Sequence, residues 1–313
     1  MWLKKILKRD SGLIGIDIAF DAIRIIELSK TRKSYKVESW ANVEYQSLVD
    51  HKDADNIIAS LKFALEEAKP QSKNAAIALA HSALINKFIM LPKEICQKNL
   101  DDFLEFNIEK YIGYSAAKVS FDYQMVEQDA DREKIKIEVA AVKRERIEKC
   151  IAILEEANLK PKFIDINAYA LARAAKFELP KIKGVMVIVN IEQNNLLLVA
   201  LDGKKMVYAN EIELTDKSCQ DTAKIYTEIK TAIELFNSAT HSPISCFVLG
   251  GKISDIDTLA LQIDKLSVGE VRIANPFKFL QFATHINQAE FMQKANSMLI
   301  SFGLALRRFN REY

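Results

Sequence analysis

The sequence predicts an α/β protein made of two similar halves, with a smaller α+β subdomain inserted into the first. Three observations carry that expectation. The run LIGIDIAFDAIRIIEL at residues 13 to 28 returns without a gap as MVIVNIEQNNLLLVAL at residues 186 to 201. Asp17 falls on Asn190, Ile18 on Ile191, Ala19 on Glu192, Ile23 on Leu196 and Leu28 on Leu201, and each copy reads as strand, short polar turn, strand. Each copy also leads into a third strand, a helix and a buried strand. Between residues 91 and 165 the pattern changes to helix, strand, strand, helix. Two hairpins that each open one half imply a cleft between the halves, where ligands ordinarily sit.

Taken in order, Ser34 to Val43 (SYKVESWANV) is a third strand, and Asp55 begins a helix with Ile58, Leu61, Leu65 and Ala68 on its apolar face. Pro70 ends that helix, and Ala75 to Ala80 (AAIALA) is a short buried strand. A helix with Leu100, Phe103, Leu104 and Tyr111 follows, then strands at Val119 to Val126 and Ile135 to Val142, the latter strictly alternating. A helix carrying Ile147, Ile151, Leu154 and Asn158, with a strand at Pro161 to Ile166, completes the insertion. After the second hairpin, Met206 to Ile212 is a strand, and residues 218 to 239 form a long helix with Tyr226, Ile229, Ile233 and Phe236 on one face. Cys246 to Leu249 is a strand ending in Gly250-Gly251; a helix at 257 to 266, a strand at 269 to 273 and a last helix at 297 to 308 finish the chain. The expected domains are residues 1–90 with 166–182, the insertion 91–165, and the second half 183–313 with a helical part at about 214–245.

Composition excludes several functions. With 44 Lys plus Arg against 42 Asp plus Glu, no global field draws the chain to nucleic acid. Cys96, Cys150, Cys219 and Cys246 have no CxxC spacing and read as reduced, buried thiols. His51, His81, His241 and His285 form no metal-binding motif. No apolar run reaches the roughly 18 residues that span a bilayer. Residues 1–9, MWLKKILKR, form a short basic amphipathic start that reads either as a weak foothold on an anionic membrane or as a solvated tail.

Seven segments in fixed order carry a resemblance: GIDIAFDAIRIIEL (15–28), LPKEI (91–95), EKYIGYSAAKVSFDYQ (109–124), DINAYALARA (165–174), VLGG (248–251), ANPF (274–277) and SFGLALR (301–307). With them the chain resembles the actin-like ATPase superfamily and, within it, the PilM family of type IV pilus assembly scaffolds, which is similar to the cell-division protein FtsA. The resemblance implies a duplicated actin-like (ASKHA) fold with an inserted α+β subdomain of the FtsA 1C type. It implies a non-catalytic cytoplasmic scaffold at the inner face of the bacterial inner membrane. The implied partners are the N-terminal cytoplasmic peptide of PilN, held in a groove beside the insertion, and other inner-membrane pilus assembly proteins; self-association stays open. Tyr111, Tyr114 and Phe121 are candidates for the groove wall, with core packing as their alternative role.

The resemblance also implies an ATP and Mg²⁺ site: Asp17 would organise the metal, the turn residues Ala19, Phe20 and Asp21 and their counterparts Asn190, Glu192 and Gln193 would face the phosphates, and Gly250 and Gly251 would lie against adenosine. This chain departs from that pattern. Glycine and small hydroxyls are replaced by Ala19-Phe20-Asp21-Ala22 in the first turn, and by Asn190, Glu192 and Gln193-Asn194 in the second. Extra carboxylates repel a triphosphate, and a bulky side chain blocks close backbone approach. The alternative roles are local: Asp17 as a turn former, Glu192 as a solvated turn acid, Gly250-Gly251 as a strand-to-helix turn. Two other functions share the fold, a small-molecule kinase and the cytoplasmic part of a type II secretion L-like protein. A kinase needs the phosphate cradle that the turns have lost. A secretion L protein continues into a transmembrane helix, whereas this sequence stops at Tyr313, and the ending RRFNREY has no apolar anchor of the FtsA kind.

Overall fold

The computed structural model describes residues 12–32, 34–45, 54–127, 133–178, 182–214, 221–253, 255–266 and 269–309. The amphipathic start at 1–9, Cys219, the expected beginning of the long helix at Ser218 and the tail beyond residue 309 lie outside them. The chain forms two compact units, residues 1–78 with 153–313, and Leu79–Ala152.

In the larger unit, β1 (Leu13–Ile18) and β2 (Ala22–Lys30) make the first hairpin, in a register that sets Asp17 opposite Arg24. β3 (Tyr35–Glu44) extends the meander, α1 (Ala54–Ala68) crosses over, and β4 (Asn74–Leu79) runs parallel to β1. The buried stripe of α1 is Ile57, Leu61, Ala64 and Ala68. The sequence spacing points instead to Ile58 and Leu65, which stand only half-buried at its margin; the small Ala64 takes the central position against the sheet.

The smaller unit begins with β5 (Ile85–Pro92), followed by α2 (Lys93–Lys98), α3 (Leu100–Ile112), β6 (Val119–Glu127), β7 (Lys134–Lys143) and α4 (Arg144–Glu156), which runs past its boundary. Its sheet has the order β5-β7-β6. One face carries Ile89, Leu91, Val119, Ile135, Ile137 and Val139, packed with Leu104, Ile108 and Ile112 of α3. The third strand of this sheet is therefore β5, which sequence periodicity misses because Phe88 and Met90 on the opposite face are half exposed and spoil the alternation.

The expected third strand near Pro161 belongs elsewhere. It is β8 (Lys160–Ile166), and it closes one end of the six-stranded sheet β14-β3-β2-β1-β4-β8 of the larger unit. α5 (Asn167–Glu178) follows it. The second hairpin, β9 (Val185–Ile191) and β10 (Asn195–Asp202), continues into β11 (Lys205–Glu213), α6 (Thr222–Thr240) and β12 (Ile244–Gly251), which returns parallel to β9. This repeats the order of the first half. Asp221 caps α6 by accepting from the N–H groups of Ala223 and Lys224, and Ile225, Ile229, Ile233 and Phe236 bury its inner face. α7 (Ile256–Asp264) and β13 (Glu270–Ile273) complete the sheet β11-β10-β9-β12-β13. The chain then returns to the first sheet: β14 (Gln281–Phe282) pairs with β3, and α8 (Gln288–Lys294) leads into α9 (Leu299–Leu306).

α9 reads LISFGLAL and is buried along its whole length. A helix apolar on every side belongs between layers. It packs on β1 and β2 with one face and on α5 with another, while α5 packs on β9 and β10, so this pair of helices joins the two sheets. Contact is close because glycine lines it: a Cβ on Gly15 would collide with the backbone of Ser301 and Ala305, and one on Gly303 with the Ala170 carbonyl. Arg173 of α5 donates from Nε to the Gly303 carbonyl at 2.9 Å and pairs with Asp165, which also lies 3.6 Å from Arg307 Nε. Gly303→Val is expected to destabilise the chain by about 1–3 kcal/mol through overpacking, read as a lowered urea midpoint; an unchanged midpoint would show that α5 and α9 have room to separate.

Candidate functional site

The ends of β1 and β9, with the turns that follow them, face each other across the larger unit. In the first turn the Ala19 N–H donates to the Ala22 carbonyl at 3.0 Å, and in the second the Glu192 N–H donates to Asn195 at 2.9 Å. Phe20 stands at the first turn's tip, 40% exposed, and Gln193 is exposed on the second. Gly250 and Gly251 end β12 beside the second turn. A Cβ on Gly250 would strike the Leu299 side chain, and Gly251, at φ +102°, abuts the backbone of Ile191. Close packing, against Leu299 for Gly250 and against β9 for Gly251, is thus sufficient reason for both glycines.

Between the turns lies a guanidinium. Arg24, on β2, is fully buried. Its Nη1 is 3.4 Å from Asp17 Oδ2, and its Nη2 is 3.0 Å from Asp21 Oδ1 and 2.9 Å from Glu192 Oε2. The contact to Glu192 is an ion pair without hydrogen-bond alignment; that carboxylate instead accepts from Asn190 Nδ2 at 2.9 Å through Oε1. Lys252, just past β12, reaches the other way, to Asp21 Oδ2 at 3.0 Å and Glu44 Oε1 at 2.9 Å. Asp17, Asp21, Asn190 and Glu192 are all buried.

Two local roles expected from sequence are corrected here. Glu192 is not a solvated turn acid but 4% exposed, because a buried arginine draws it inward. Asp17 is not bonded to its own turn; its partner is Arg24, directly across the hairpin. Arg24 is not among the residues that the resemblance places at a nucleotide site. Its signal was there: a cation in the run AIRIIEL, on a strand with apolar neighbours on both sides, must find carboxylates inside the protein.

Burial drives the electrostatics. It raises the Glu192 carboxyl to about 7 against the pull of Arg24, with Asp17 and Asp21 adding to the rise. Burial likewise raises Asp17, again opposed by Arg24. For Asp21 burial is outweighed by Arg24 and then Lys252, which leave it below the usual carboxylate range. Burial works against Lys252, but bonds to Glu44 and Asp21 overcome it and hold its ammonium above the ordinary value.

The arrangement does not suit a magnesium–triphosphate group. Three carboxylates point inward, and the cations beside them are already paired. The turn N–H groups of Ala19 and Glu192 close their own hairpins, and the Glu192 side chain occupies the space that a glycine would leave open. Among the described residues no three His, Cys, Asp or Glu side chains are placed to hold a metal ion.

The family model of type IV pilus assembly protein PilM matches residues 15–226 and 220–309. Among solved structures, the chain is similar to that of a PilM-PilN type IV pilus biogenesis complex, at 19% identity and a TM-score of 0.77, covering 95% of this chain and 98% of that one. It is also similar to the cytoplasmic domain of EpsL, an inner-membrane component of the Vibrio cholerae type II secretion system, at 11% identity, a TM-score of 0.52 and 97% coverage of both chains. The ethanolamine utilization protein EutJ of Carboxydothermus hydrogenoformans matches at 9% identity and a TM-score of 0.50, over 94% of this chain and 88% of that one. The fold is that of the actin-like ATPases.

Because the folded chain keeps a proton on Glu192 that the unfolded chain releases near the ordinary glutamate value of 4.5, stability is expected to fall as pH rises from about 4.5 to about 7. Raised Asp17 adds to that slope, whereas depressed Asp21 acts oppositely, losing its contribution only in more acidic solution. Glu192→Gln should flatten the difference in unfolding free energy between pH 5 and pH 8 by up to about 3 kcal/mol; parallel profiles for the two proteins would refute the assignment.

Proposed function

Because the chain belongs to the type IV pilus assembly protein PilM family, we propose that it is a scaffold at the cytoplasmic face of the inner membrane that holds the N-terminal cytoplasmic segment of PilN. The observation that carries this reading is the family match along both halves and through the inserted unit, which is the part an actin-like core would not need for nucleotide chemistry.

The inserted unit has the surface of a binding module. Phe88, Met90, Phe106, Tyr114 and Met125 are large apolar side chains that it leaves 43–86% exposed. β6 is an edge strand of its sheet, and a cavity of about 600 Å³ lies along it, lined by Asp101 and Glu105 of α3, Phe121, Asp122 and Tyr123 of β6, and Arg144. An extended peptide can be held by an edge strand through main-chain hydrogen bonds and by adjoining pockets through its side chains. Of the three aromatic candidates, Tyr114 is exposed, whereas Tyr111 and Phe121 are half-buried against the unit's own core. No described helix is long and apolar enough to cross a membrane, and in this reading the membrane is reached through the partner.

Catalysis is not part of the proposal. A kinase on this fold requires a phosphate cradle and a free carboxylate as base, and Asp17, Asp21 and Glu192 are all tied to Arg24. Titration of the full chain with a peptide copying the cytoplasmic N-terminus of the cognate PilN is expected to show saturable binding, equal with and without Mg-ATP. Absence of binding under both conditions would end the scaffold reading as stated, and strict dependence on ATP would assign the cleft a nucleotide role.

A further inference from the structure

The charges between the two hairpin turns cross in both directions. Arg24 belongs to the first half and reaches Glu192 of the second; Lys252 belongs to the second half and reaches Asp21 and Glu44 of the first. We propose that Arg24 and Lys252 form a built-in ionic latch that joins the two halves of the fold without nucleotide, the Arg24 guanidinium filling the cleft so that it takes no nucleoside triphosphate. This concerns the cleft alone and does not depend on which partner the inserted unit binds.

Four features support it. First, the guanidinium contacts acids from both turns at once, Asp17 and Asp21 on one side and Glu192 on the other. The planar fork of arginine, which presents two separate nitrogens, suits bridging three acids. Second, the cation is not duplicated. The repeat that aligns Asp17 with Asn190 aligns Arg24 with Leu197, so one guanidinium serves both turns. Third, the second turn has adapted to it: Glu192 stands where the first turn has Ala19, is buried, and is oriented by Asn190. Fourth, an anion would enter badly. Two unit charges of like sign about 4 Å apart repel by roughly 4 kcal/mol at the effective dielectric of a protein site; a triphosphate would meet the ionised Asp21 there, and the cations that could attract it are already paired.

A resting-state alternative exists: Arg24 could be a phosphate ligand that parks on carboxylates until nucleotide arrives. The two readings differ in what they predict. Equilibrium dialysis of the full chain against labelled ATP with excess magnesium is expected to show no saturable binding up to about 1 mM. Hydrogen exchange at the bonded amides of Ala19, Glu192 and Lys252 is expected to be unmoved by Mg-ATP, and to speed up by about tenfold or more in both Arg24→Met and Lys252→Met. Saturable binding of ATP that disappears in Arg24→Met would identify a phosphate ligand and overturn the proposal. Unchanged exchange in the variants would overturn the latch. If Arg24→Met does not fold, Lys252→Met, whose side chain is 45% exposed, carries the exchange measurement by itself.

Discussion

A guanidinium with no exposure to solvent sets the terms for the centre of this molecule. Arg24 cannot shed its proton, since the surrounding acids hold its pKa above even the high value that arginine has in water. It must therefore be met by carboxylates, and it draws them from two hairpins that lie 173 positions apart in sequence, Asp17 aligning with Asn190. Replacing such a group by a neutral one leaves its partners buried and uncompensated, which costs several kcal/mol in proteins generally. The burial of Glu192 between the turns follows from satisfying that charge, and Lys252 in turn offsets the carboxylates of Asp21 and Glu44.

The network works only if the two sheets are held at a fixed distance, and the helix pair α5 and α9 supplies that. Several segments that carry the family resemblance act here. Asp165 and Arg173 come from DINAYALARA, and Gly303 and Arg307 from SFGLALR; together they tie the end of β8, α5 and α9 to one another. The Gly-Gly of VLGG lets β12 sit tightly on β9 and Leu299. Motifs that in an ATPase would be read for ligand contact are, in this chain, accounted for by packing.

The legible part of the fold was the part with strong local periodicity. Both hairpins, the long helix α6 and the alternating β7 were readable because a strand or helix buried on one face prints its period in the sequence. β5 was not, because Phe88 and Met90 put apolar residues on its outer face as well. β8 follows the insertion directly in sequence and so reads as part of its sheet, whereas its pairing partner β4 precedes the whole insertion. The candidate site is half legible: of the nine residues that the resemblance places at a nucleotide site, Asp17, Asp21 and Glu192 surround Arg24 and Asn190 bonds Glu192. Arg24 is hidden among apolar neighbours, and no local pattern marks Lys252 or Glu44 as part of the same cluster.

The amino-acid sequence by itself determined that the chain is duplicated, that its second turn carries Asn190 and Glu192 where the first has Asp17 and Ala19, and that an α+β insertion interrupts the first half. These are properties of local pattern and of self-similarity, which survive without knowledge of contacts. Only the tertiary structure decided what the turns do with their charges. An acid in a turn is solvated by default, and Glu192 departs from that default because a guanidinium from the other half lies 2.9 Å away. Electrostatic energy depends on distance and burial, and neither is written in the order of residues.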